Sequence, residues 1–497
     1  MARNCLTYSG TEGEVVAQEE QETRVAPRLK LAQIKQLRLP DVRITSALHY
    51  ESNATGRVSE AHVAVQGAIG GTIKFELLLP DEWNSRLVMG GGGGFVGRVS
   101  NSARSSINQR YATVGTDTGH QSSGFRARWA LDNIEAQINY GYLAVHRTAE
   151  VAKAIIYAYY GSDPDYSYFS GCSTGGRQAL IEAQRYPGDF DGIVSGAPGL
   201  DNIGLAAARL YNAQHFFPDP SKLDQAIITK QLLQQLYAEV LKKCDEQDGV
   251  KDGIIDDPRE CSFDLSQFQG LTPAQRQALQ ALYDGPRNEN GVIYPGMPLG
   301  SEHQWFRWKA GSLPWNLERF GYPNPGFALG IDFCKYFVFN DPNWDYSKYD
   351  FSNWEEDTHL AGTFLKGNNP DLSEFKARGG KLILWHGWSD GPLTPLASIQ
   401  YFEEVEQRDP QVRDYFRLYL LPGVAHCGGG SGPDKVDWLA TVAQWVEQGE
   451  APYEVIASKF DQDGNVRMTR PLYPYPLRAV YKGSGNTNEA ESFVVME

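Results

Sequence analysis

Two motifs that lie far apart in this chain constrain its fold more than any other feature. Ser173 lies in the sequence Gly171-Cys172-Ser173-Thr174-Gly175, and His426 is followed directly by Cys427. A nucleophilic serine needs a base within hydrogen-bonding distance. Two residues whose side chains meet bring their neighbours to within the roughly 4.4–6.8 Å between Cα atoms that a disulfide accepts. A Cys172–Cys427 disulfide would therefore join the segment of the nucleophile to the segment of the base.

The Gly-x-Ser-x-Gly pattern occurs twice, and the surrounding sequence favours the copy at Ser173. With 51 glycines in the chain such a match arises easily, so context decides. Residues 166–170 are β-prone and residues 176–185 form an amphipathic helical pattern, which is the strand, sharp turn and helix of a nucleophile elbow. The second copy, around Ser389, runs into two prolines that delay any helix. We therefore predict a nucleophile at Ser173 and a loop role for Ser389.

The acid and the base are predicted from their order along the chain. In α/β-hydrolases the nucleophile comes first, then the acid, then the histidine. Asp390 comes shortly after the predicted strand 381–385, and His426 follows the predicted strand 415–421. No other histidine follows Asp390. A turn-capping carboxylate is the alternative for Asp390, and Asp437 is a substitute acid that would break the usual order.

These residue types predict an acyl-enzyme reaction that needs an oxyanion hole. His426 would accept the hydroxyl proton of Ser173, and Asp390 would fix the imidazole tautomer. One donor to the developing oxyanion should be the backbone N–H of Thr174. We expect the second from Gly94, in the glycine loop 90–94 that follows a predicted strand, because absent side chains let a main-chain N–H come close. A flexible linker and a phosphate loop are the other interpretations of this loop; a phosphate loop would require Lys-Ser/Thr after it.

The chain has 497 residues, more than the number that a single hydrophobic core usually supports. The hydrophobic patterns predict an α/β protein whose core is interrupted by a large inserted domain, the lid. We expect the first part of the core at residues 1–203, the lid at 204–371 and the second part of the core at 372–497. Strands are predicted at 73–79, 86–89, 111–115, 192–195 and 381–385, and helices at 137–160, 177–185, 225–243, 273–283 and 435–447.

An acidic loop inside the predicted lid has the composition of a cation site. Residues 244–261 place several aspartates and glycine turns between two cysteines. Hard cations such as Ca²⁺ take oxygen ligands from such loops. The spacing is not that of an EF-hand, and an ordinary acidic surface loop with Asp-Gly turns is the alternative.

The elbow Gly-Cys-Ser-x-Gly-Gly, the late Asp390, the His426-Cys427 pair and the glycine loop together resemble the tannase/feruloyl esterase family, which includes mono(hydroxyethyl) terephthalate hydrolase. The resemblance extends from about residue 41 to 493 and includes Phe190-Asp-Gly-Ile-Val-Ser-Gly-Ala-Pro198. It implies an α/β-hydrolase core with a large lid, a serine triad joined through its cysteines, and a structural Ca²⁺ in the lid.

The resemblance also implies a set of calcium ligands and a second disulfide. The ligands would be the side chains of Asp245, Asp248 and Asp252 and the main-chain carbonyls of Val250 and Ile254, with Cys244–Cys261 closing the loop. Family members usually carry more cysteine pairs than this chain, in which Cys5 and Cys334 are left over.

The predicted lid is rich in aromatic residues that could line a slot for an aromatic acid. Residues 305–354 include sixteen aromatic side chains, far above the 12% of the whole chain. We select Trp305, Phe306 and Trp308 as contacts of the acyl group, and Arg307 or Arg319 for a substrate carboxylate or phenol. The alternative is that these rings fill the core of the lid itself. The sequence does not separate gallate, ferulate, chlorogenate and terephthalate half-esters.

The expectation is a serine carboxylic ester hydrolase for small esters of aromatic acids. An acyltransferase with the same triad and a calcium-stabilised binding protein without activity are the alternatives.

The net charge of −15 argues against nucleic acid or an anionic membrane as partner, and the chain has no run of eighteen apolar residues that could span a bilayer. The expected disulfides and calcium favour a secreted or periplasmic protein whose signal has been removed. The first residues lack the apolar stretch of a signal peptide, which leaves an intracellular location open, and nothing indicates the oligomeric state.

Overall fold

The computed structural model describes residues 25–53 and 56–496, so Cys5 lies outside the described residues. Fifteen strands are found in this part of the chain. They are β1 (Val42–Tyr50), β2 (His62–Ile69), β3 (Ile73–Pro80), β4 (Arg86–Gly90), β5 (Ala112–Thr116), β6 (Tyr166–Cys172), β7 (Gly192–Gly196), β8 (Arg287–Asn288), β9 (Gly291–Val292), β10 (Lys381–Gly387), β11 (Phe416–Leu421), β12 (Val455–Phe460), β13 (Val466–Leu472), β14 (Arg478–Tyr481) and β15 (Phe493–Met496).

Nine of these strands form one mixed sheet that carries the candidate site. Their order across the sheet is β1-β2-β3-β5-β4-β6-β7-β10-β11. The first three strands pair antiparallel and join β5, whereas β5, β4, β6, β7, β10 and β11 run parallel. Loops that follow neighbouring parallel strands meet at the same edge of a sheet. The residues that follow β4, β6, β10 and β11 therefore lie at one edge of this sheet.

Fifteen α-helices occur in the described residues. They are α1 (Leu31–Ile34), α2 (Ile134–Ile138), α3 (Ala144–Tyr160), α4 (Thr174–Arg185), α5 (Asn202–Phe216), α6 (Lys230–Cys244), α7 (Pro273–Asp284), α8 (Glu302–Trp305), α9 (Pro314–Phe320), α10 (Pro325–Phe333), α11 (Trp354–Asp357), α12 (His359–Leu365), α13 (Ser373–Ala377), α14 (Pro395–Arg408) and α15 (Trp438–Gln448). The predicted helix 137–160 comprises α2 and α3 joined by a π-turn at Asn139–Leu143.

Helices cover both faces of the sheet, and the strand side chains alternate between two cores. Leu87, Phe169 and Leu382 point into the core that α3, α4 and α14 complete. Their neighbours Val88, Tyr168 and Ile383 point into the core that α15 completes. Successive side chains of a strand face opposite sides of a sheet, so this continuous apolar pattern is typical of strands buried on both faces.

The chain between β7 and β10 forms a helical insertion above the sheet. It contains α5 to α13 and the short β8–β9 hairpin, and it contributes no strand to the nine-stranded sheet. Its large apolar core also includes Phe95, Ala127 and Tyr140, which come from the segments after β4 and β5. The boundaries at residues 204 and 371 stay a prediction, since the lid shares its core with these earlier segments.

The last strands form two small sheets beside the insertion. β12 pairs with β13, and β14 pairs with β15. Val250 of the acidic loop packs with Tyr473, Ala479 and Phe493 from this end of the chain. Among residues 25–53 and 56–496, no helix combines the length and the apolar character needed to cross a bilayer.

Candidate active site

Ser173 occupies the sharp turn between β6 and α4, as the sequence predicts. Its φ of 64° and ψ of −120° place it in a region that non-glycine residues seldom adopt. Its N–H donates to the carbonyl of Gly196 at 2.9 Å. A Cβ on Gly171 would lie 2.6 Å from the backbone of Gly175, so the glycines of the motif let strand and helix approach closely. The turn therefore holds Ser173 where its side chain faces a cavity.

The structure brings His426 and Asp390 together. His426 Nδ1 lies 2.6 Å from Asp390 Oδ2, and the backbone N–H of Leu393 donates to Asp390 Oδ1 at 2.8 Å. Burial works to raise the pKa of Asp390, but the charges and hydrogen bonds of His426 and His386 outweigh it and hold this pKa below its ordinary value. Asp437, the substitute acid, instead caps α15 by accepting from the N–H of Ala440 at 3.0 Å.

The sequence analysis missed His386 as a second partner of Asp390. This side chain is fully buried at the end of β10, with Nδ1 2.8 Å from Ser398 Oγ and Nε2 3.3 Å from Asp390 Oδ2. The spacing of four residues between His386 and Asp390 was the available signal. His386 and His426 therefore approach the same carboxylate oxygen of Asp390.

Both disulfides are present in the structure. Cys172 and Cys427 are bonded with 5.9 Å between their Cα atoms, and Cys244 is bonded to Cys261. The first bond links the residues next to Ser173 and His426. Within the described part of the chain Cys334 is a free cysteine, buried in the lid core.

The predicted oxyanion donors Gly94 and Thr174 lie next to each other. The Thr174 hydroxyl donates to the Gly94 carbonyl at 2.7 Å, and the Tyr140 hydroxyl donates to the same carbonyl at 3.1 Å. Gly94 has a φ of +56°, and a Cβ there would collide with the carbonyl of Gly124. In residues 25–53 and 56–496 no acceptor engages the backbone N–H of Gly94 or of Thr174. Both N–H groups are therefore available to a ligand.

A cavity of about 340 Å³ unites these groups. It is lined by Ser173, Thr174, His426, Gly93, Gly94, Phe95, Val96, Arg98, Ser100, Gly124, Phe125, Tyr140, Gly199, Asn202, Leu205, Arg209, Trp308, Leu329, Pro392 and Leu393. Apolar and aromatic side chains line the cavity together with polar groups that come from several segments of the chain. That is the composition of a pocket for a small organic molecule.

Of the three aromatic residues selected from the sequence, the structure places only Trp308 at the cavity. Its ring meets that of His426 edge-on, with 6.0 Å between centroids and 76° between planes. Trp305 is fully buried in the lid core, where its indole N–H donates to Ser301 Oγ at 2.9 Å. Phe306 packs against the same core. Packing inside the lid, the alternative considered for these rings, accounts for Trp305 and Phe306.

The two selected arginines also lie away from the cavity. Arg307 and Arg319 are exposed on the lid surface and stack on Trp308 and Phe320. Arg209 on α5 lines the cavity instead, and the sequence analysis missed it. An arginine within an apolar helix rich in alanine and leucine was the signal that could have found it.

The acidic loop presents oxygen atoms in a set of tight turns. Asp245 Oδ1 accepts from the N–H of Gly253 at 2.9 Å, and Asp248 Oδ1 accepts from the N–H of Val250 at 2.9 Å. Asp252 Oδ1 accepts from the N–H of Ile254 at 3.1 Å, and its Oδ2 pairs with Arg470 at 2.8 Å. Burial, together with the charges of Asp252 and Asp245, raises the pKa of Asp248 to about 6.

These oxygen donors are of the kind that Ca²⁺ takes, and the repulsion between their charges is what a cation would relieve. The carboxylates of the loop do not already surround one point. In the part of the chain that the structure describes, three potential ligand side chains converge within 4.8 Å only at His146, Glu182 and Asp189.

A serine at a sharp turn between a strand and a helix, an Asp–His pair after later strands, and a parallel sheet between helical layers define the α/β-hydrolase fold class. Comparison with known proteins then gives the family. A model of the tannase and feruloyl esterase family matches residues 53–496, and the chain belongs to this family.

Relatives and solved structures agree with this assignment. A probable feruloyl esterase of Arthroderma benhamiae is 33% identical, over 88% of this chain and 84% of the relative. The mono(2-hydroxyethyl) terephthalate hydrolase of Piscinibacter sakaiensis is 31% identical, over 89% of this chain and 86% of the relative. Feruloyl esterase B from Aspergillus oryzae superposes with a TM-score of 0.81 at 26% identity, covering 93% of this chain and 98% of that structure. The predicted α/β-hydrolase fold and carboxylic ester hydrolase activity on aromatic-acid esters are confirmed at the level of the family.

Proposed function

We propose that this enzyme hydrolyses its aromatic ester through an acyl-enzyme formed on Ser173. The observation that carries the proposal is the 2.6 Å contact between His426 and Asp390 in a cavity that Ser173 also lines. The disulfide next to Ser173 and His426 supports it, since it ties the two segments together.

The chemistry follows from these positions. The Nδ1–H of His426 donates to Asp390, which leaves Nε2 as the base for the Ser173 hydroxyl. Attack on the ester carbonyl gives a tetrahedral oxyanion, which the N–H groups of Gly94 and Thr174 would stabilise. His426 then protonates the leaving alcohol, and a water activated by the same imidazole releases the acid.

The cavity supports an aromatic acid as the acyl group. Phe95, Phe125 and Trp308 provide rings, and Leu205 and Leu393 provide apolar surface. Aromatic rings favour stacked or edge-to-face contacts with one another, so these side chains can bind the ring of an aromatic acid. A volume of about 340 Å³ suits a single-ring acid with a small alcohol.

Hydrolysis of methyl ferulate and methyl gallate tests the proposal. Ser173→Ala should abolish the reaction, because without the hydroxyl no acyl-enzyme forms. Ser389→Ala is the matched control, since Ser389 lies in the second Gly-x-Ser-x-Gly copy and does not line the cavity. Equal loss in both variants, or turnover that survives Ser173→Ala, would refute the assignment.

The two alternatives give different results in the same experiment. An acyltransferase would pass the acyl group to an added alcohol at the expense of hydrolysis. A binding protein without activity would neither turn over the esters nor react with a serine-directed phosphonate. Wild-type protein that hydrolyses both esters and is labelled at Ser173 excludes both.

We also propose Ca²⁺ in the acidic loop, held by Asp245, Asp248 and Asp252 and by the carbonyls of Val250 and Ile254. The support is the donor chemistry, the raised pKa of Asp248 and the disulfide that closes the loop. Calcium should raise Tm by mass action, and EGTA should reverse the rise. Asp248→Asn should remove this response, whereas Glu246→Gln, on an exposed side chain of the same loop, should keep it. A wild-type Tm that is indifferent to both reagents would refute the site.

The two disulfides favour an oxidising compartment, so we propose a secreted or periplasmic location. The net charge of −15 supports the expectation that nucleic acid is not a partner. Assaying ester hydrolysis separately in the cytosol, the periplasm and the culture medium of the source organism tests the location; activity confined to the cytosol would contradict it.

A further inference from the structure

Three side chains of the kinds that bind metal ions converge away from the active-site cavity. His146 lies on α3, Glu182 lies on α4, and Asp189 lies in the turn between α4 and β7. One nitrogen or oxygen atom of each lies within 4.8 Å of those of the other two. None of the three residues lines the cavity that contains Ser173. The cluster is therefore a separate feature of the molecule, and ester hydrolysis does not account for it.

Glu182 is the member of this cluster that lacks a donor. Its side chain is 0% exposed, and no hydrogen-bond donor among residues 25–53 and 56–496 reaches either carboxylate oxygen. Burial and the neighbouring carboxyl group of Asp189 raise the pKa of Glu182 well above its ordinary value, and the charge of Lys153 opposes them only in part. A buried carboxylate without a partner is costly, so a cation bound at this place would stabilise the fold.

His146 is oriented as a metal ligand would be. Its Nδ1 lies 2.7 Å from Asp189 Oδ2, and its Nε2 lies 3.5 Å from Glu150 Oε2. The ring of Tyr186 stacks on the imidazole with 3.7 Å between centroids and 4° between planes. A metal-bound imidazole usually donates its other N–H to an acceptor such as a carboxylate, which Glu150 can supply. The side chains of His146 and Asp189 are 21% and 15% exposed, so an ion can enter from solvent.

The ammonium group of Lys153 does not occupy the place between the carboxylates. It donates to the main-chain carbonyl of Asp189. One imidazole nitrogen and two carboxylate oxygens are a ligand set that suits Zn²⁺, which binds three protein ligands and a water in many sites. Ca²⁺ instead takes six to eight oxygen ligands, more than this cluster offers.

We propose that His146, Glu182 and Asp189 bind a Zn²⁺ ion that ties α3, α4 and the turn before β7 together. The ion would replace the hydrogen bond between His146 and Asp189, and the protons that Nδ1 and Glu182 hold would pass to solvent, because metal ligands must be deprotonated. The site stabilises the fold and takes no part in ester hydrolysis. This inference is therefore independent of the proposed function.

Thermal unfolding with Zn²⁺ as the probe tests the site. The protein is freed of bound metal with EDTA and returned to a buffer with excess Ca²⁺, so that any binding of Ca²⁺ in the acidic loop is the same in every sample. Isothermal titration in this buffer gives the Kd for Zn²⁺. Free Zn²⁺ at about 100 times this Kd should raise Tm by about 2.5 °C, given the unfolding entropy expected of 497 residues.

Glu182→Gln and His146→Gln each remove one ligand. Either change should weaken Zn²⁺ binding by roughly 100-fold, since losing even an outer hydrogen-bond partner of a metal ligand costs about 10- to 100-fold. At the same Zn²⁺ concentration the rise in Tm should then fall below about 0.5 °C. His49→Gln is the matched control: His49 also pairs with an aspartate, with Nε2 2.8 Å from Asp81 Oδ2, but it belongs to no such cluster. It should keep the full rise.

Two results would overturn the inference. A wild-type Tm that does not respond to Zn²⁺ would indicate that Glu182 and Asp189 share a proton instead of a metal ion. An equal rise in the wild type and in both ligand variants would place the zinc elsewhere. If Glu182→Gln and His146→Gln fail to fold, wild-type crystals soaked with Zn²⁺ decide the question. An anomalous peak among His146, Glu182 and Asp189 is then expected, and peaks only at other places would refute the site.

Discussion

Removing the Cys172–Cys427 disulfide should separate its contribution to stability from its contribution to catalysis. The double substitution Cys172→Ala, Cys427→Ala deletes a bond that closes a loop with a sequence separation of 255. In the chain-entropy treatment a loop of this length stabilises the folded state by about 5.5 kcal/mol at 25 °C. The matched control deletes Cys244–Cys261, with a separation of 17, for which the same treatment gives about 3 kcal/mol.

These free energies correspond to modest shifts in thermal stability. A chain of 497 residues has an unfolding entropy of about 1 kcal/mol per degree. Tm should therefore fall by about 5 °C without Cys172–Cys427 and by about 3 °C without Cys244–Cys261. Scanning calorimetry of the two variants beside the wild type measures both shifts.

Catalysis should distinguish the two variants far more sharply. The Cys172–Cys427 bond is one residue from Ser173 and one residue from His426. Without this bond, no covalent link limits the separation between the proposed nucleophile and the proposed base. A displacement of about 1 Å in a reacting geometry costs roughly 100-fold in rate. With the folding of both variants at 15 °C checked by circular dichroism, kcat/KM for methyl ferulate at that temperature should fall by about 100-fold only in the variant without Cys172–Cys427. A rate within threefold of the wild type, or equal loss in both variants, would refute the idea that this bond positions the triad.

Three further predictions address single residues. Gly94→Ala should lower kcat by about 100- to 1000-fold with a smaller change in KM, because the new methyl group would collide with the Gly124 carbonyl and displace an oxyanion donor; an unchanged kcat would remove Gly94 from the oxyanion hole. Asp390→Asn should lower kcat by about 10⁴-fold, since the amide favours the wrong imidazole tautomer, whereas Asp437→Asn should not; similar losses in both would contradict the assigned acid. Burial raises the pKa of Glu302 from 4.5 to about 7, so the folded protein binds this proton more tightly than the unfolded chain and loses stability as pH rises from 4.5 to 7. Glu302→Gln should therefore gain about 3 kcal/mol relative to the wild type between pH 4 and pH 8 in urea unfolding, and a constant difference would contradict it.

The parts of the fold that the sequence predicts well are the ones encoded locally. The elbow strand β6 and helix α4 follow from a β-prone run, two glycines and an amphipathic pattern, and β10 and β11 follow from continuous apolar runs. The antiparallel strands β1 and β2 were not predicted. Most residues of β1 are exposed or half-buried, so its apolar pattern is weak, and its place in the sheet depends on pairing with β2.

The candidate site shows the same difference between features encoded in short motifs and features that depend on distant contacts. Ser173, Asp390 and His426 could be selected from the sequence because their order and neighbours carry information within short motifs. The choice between Trp305 and Trp308 could not be made, because the π-turn at Phe306–Ala310 sets which ring faces the cavity. Arg209 was missed because its exposure to the cavity depends on how α5 packs against α10, a contact between distant segments.

The shared core of lid and glycine loop has a consequence for exchanging parts between relatives. Phe95, next to Gly94, stacks on Phe337 of the insertion at 5.9 Å and meets Tyr140 at 6.0 Å. A chimera that took only the insertion from another esterase would surround Phe95 with foreign partners and tilt the neighbouring backbone. The transferable module is therefore the insertion together with the loops after β4 and β5, and grafts with this wider boundary should be the ones that keep their turnover.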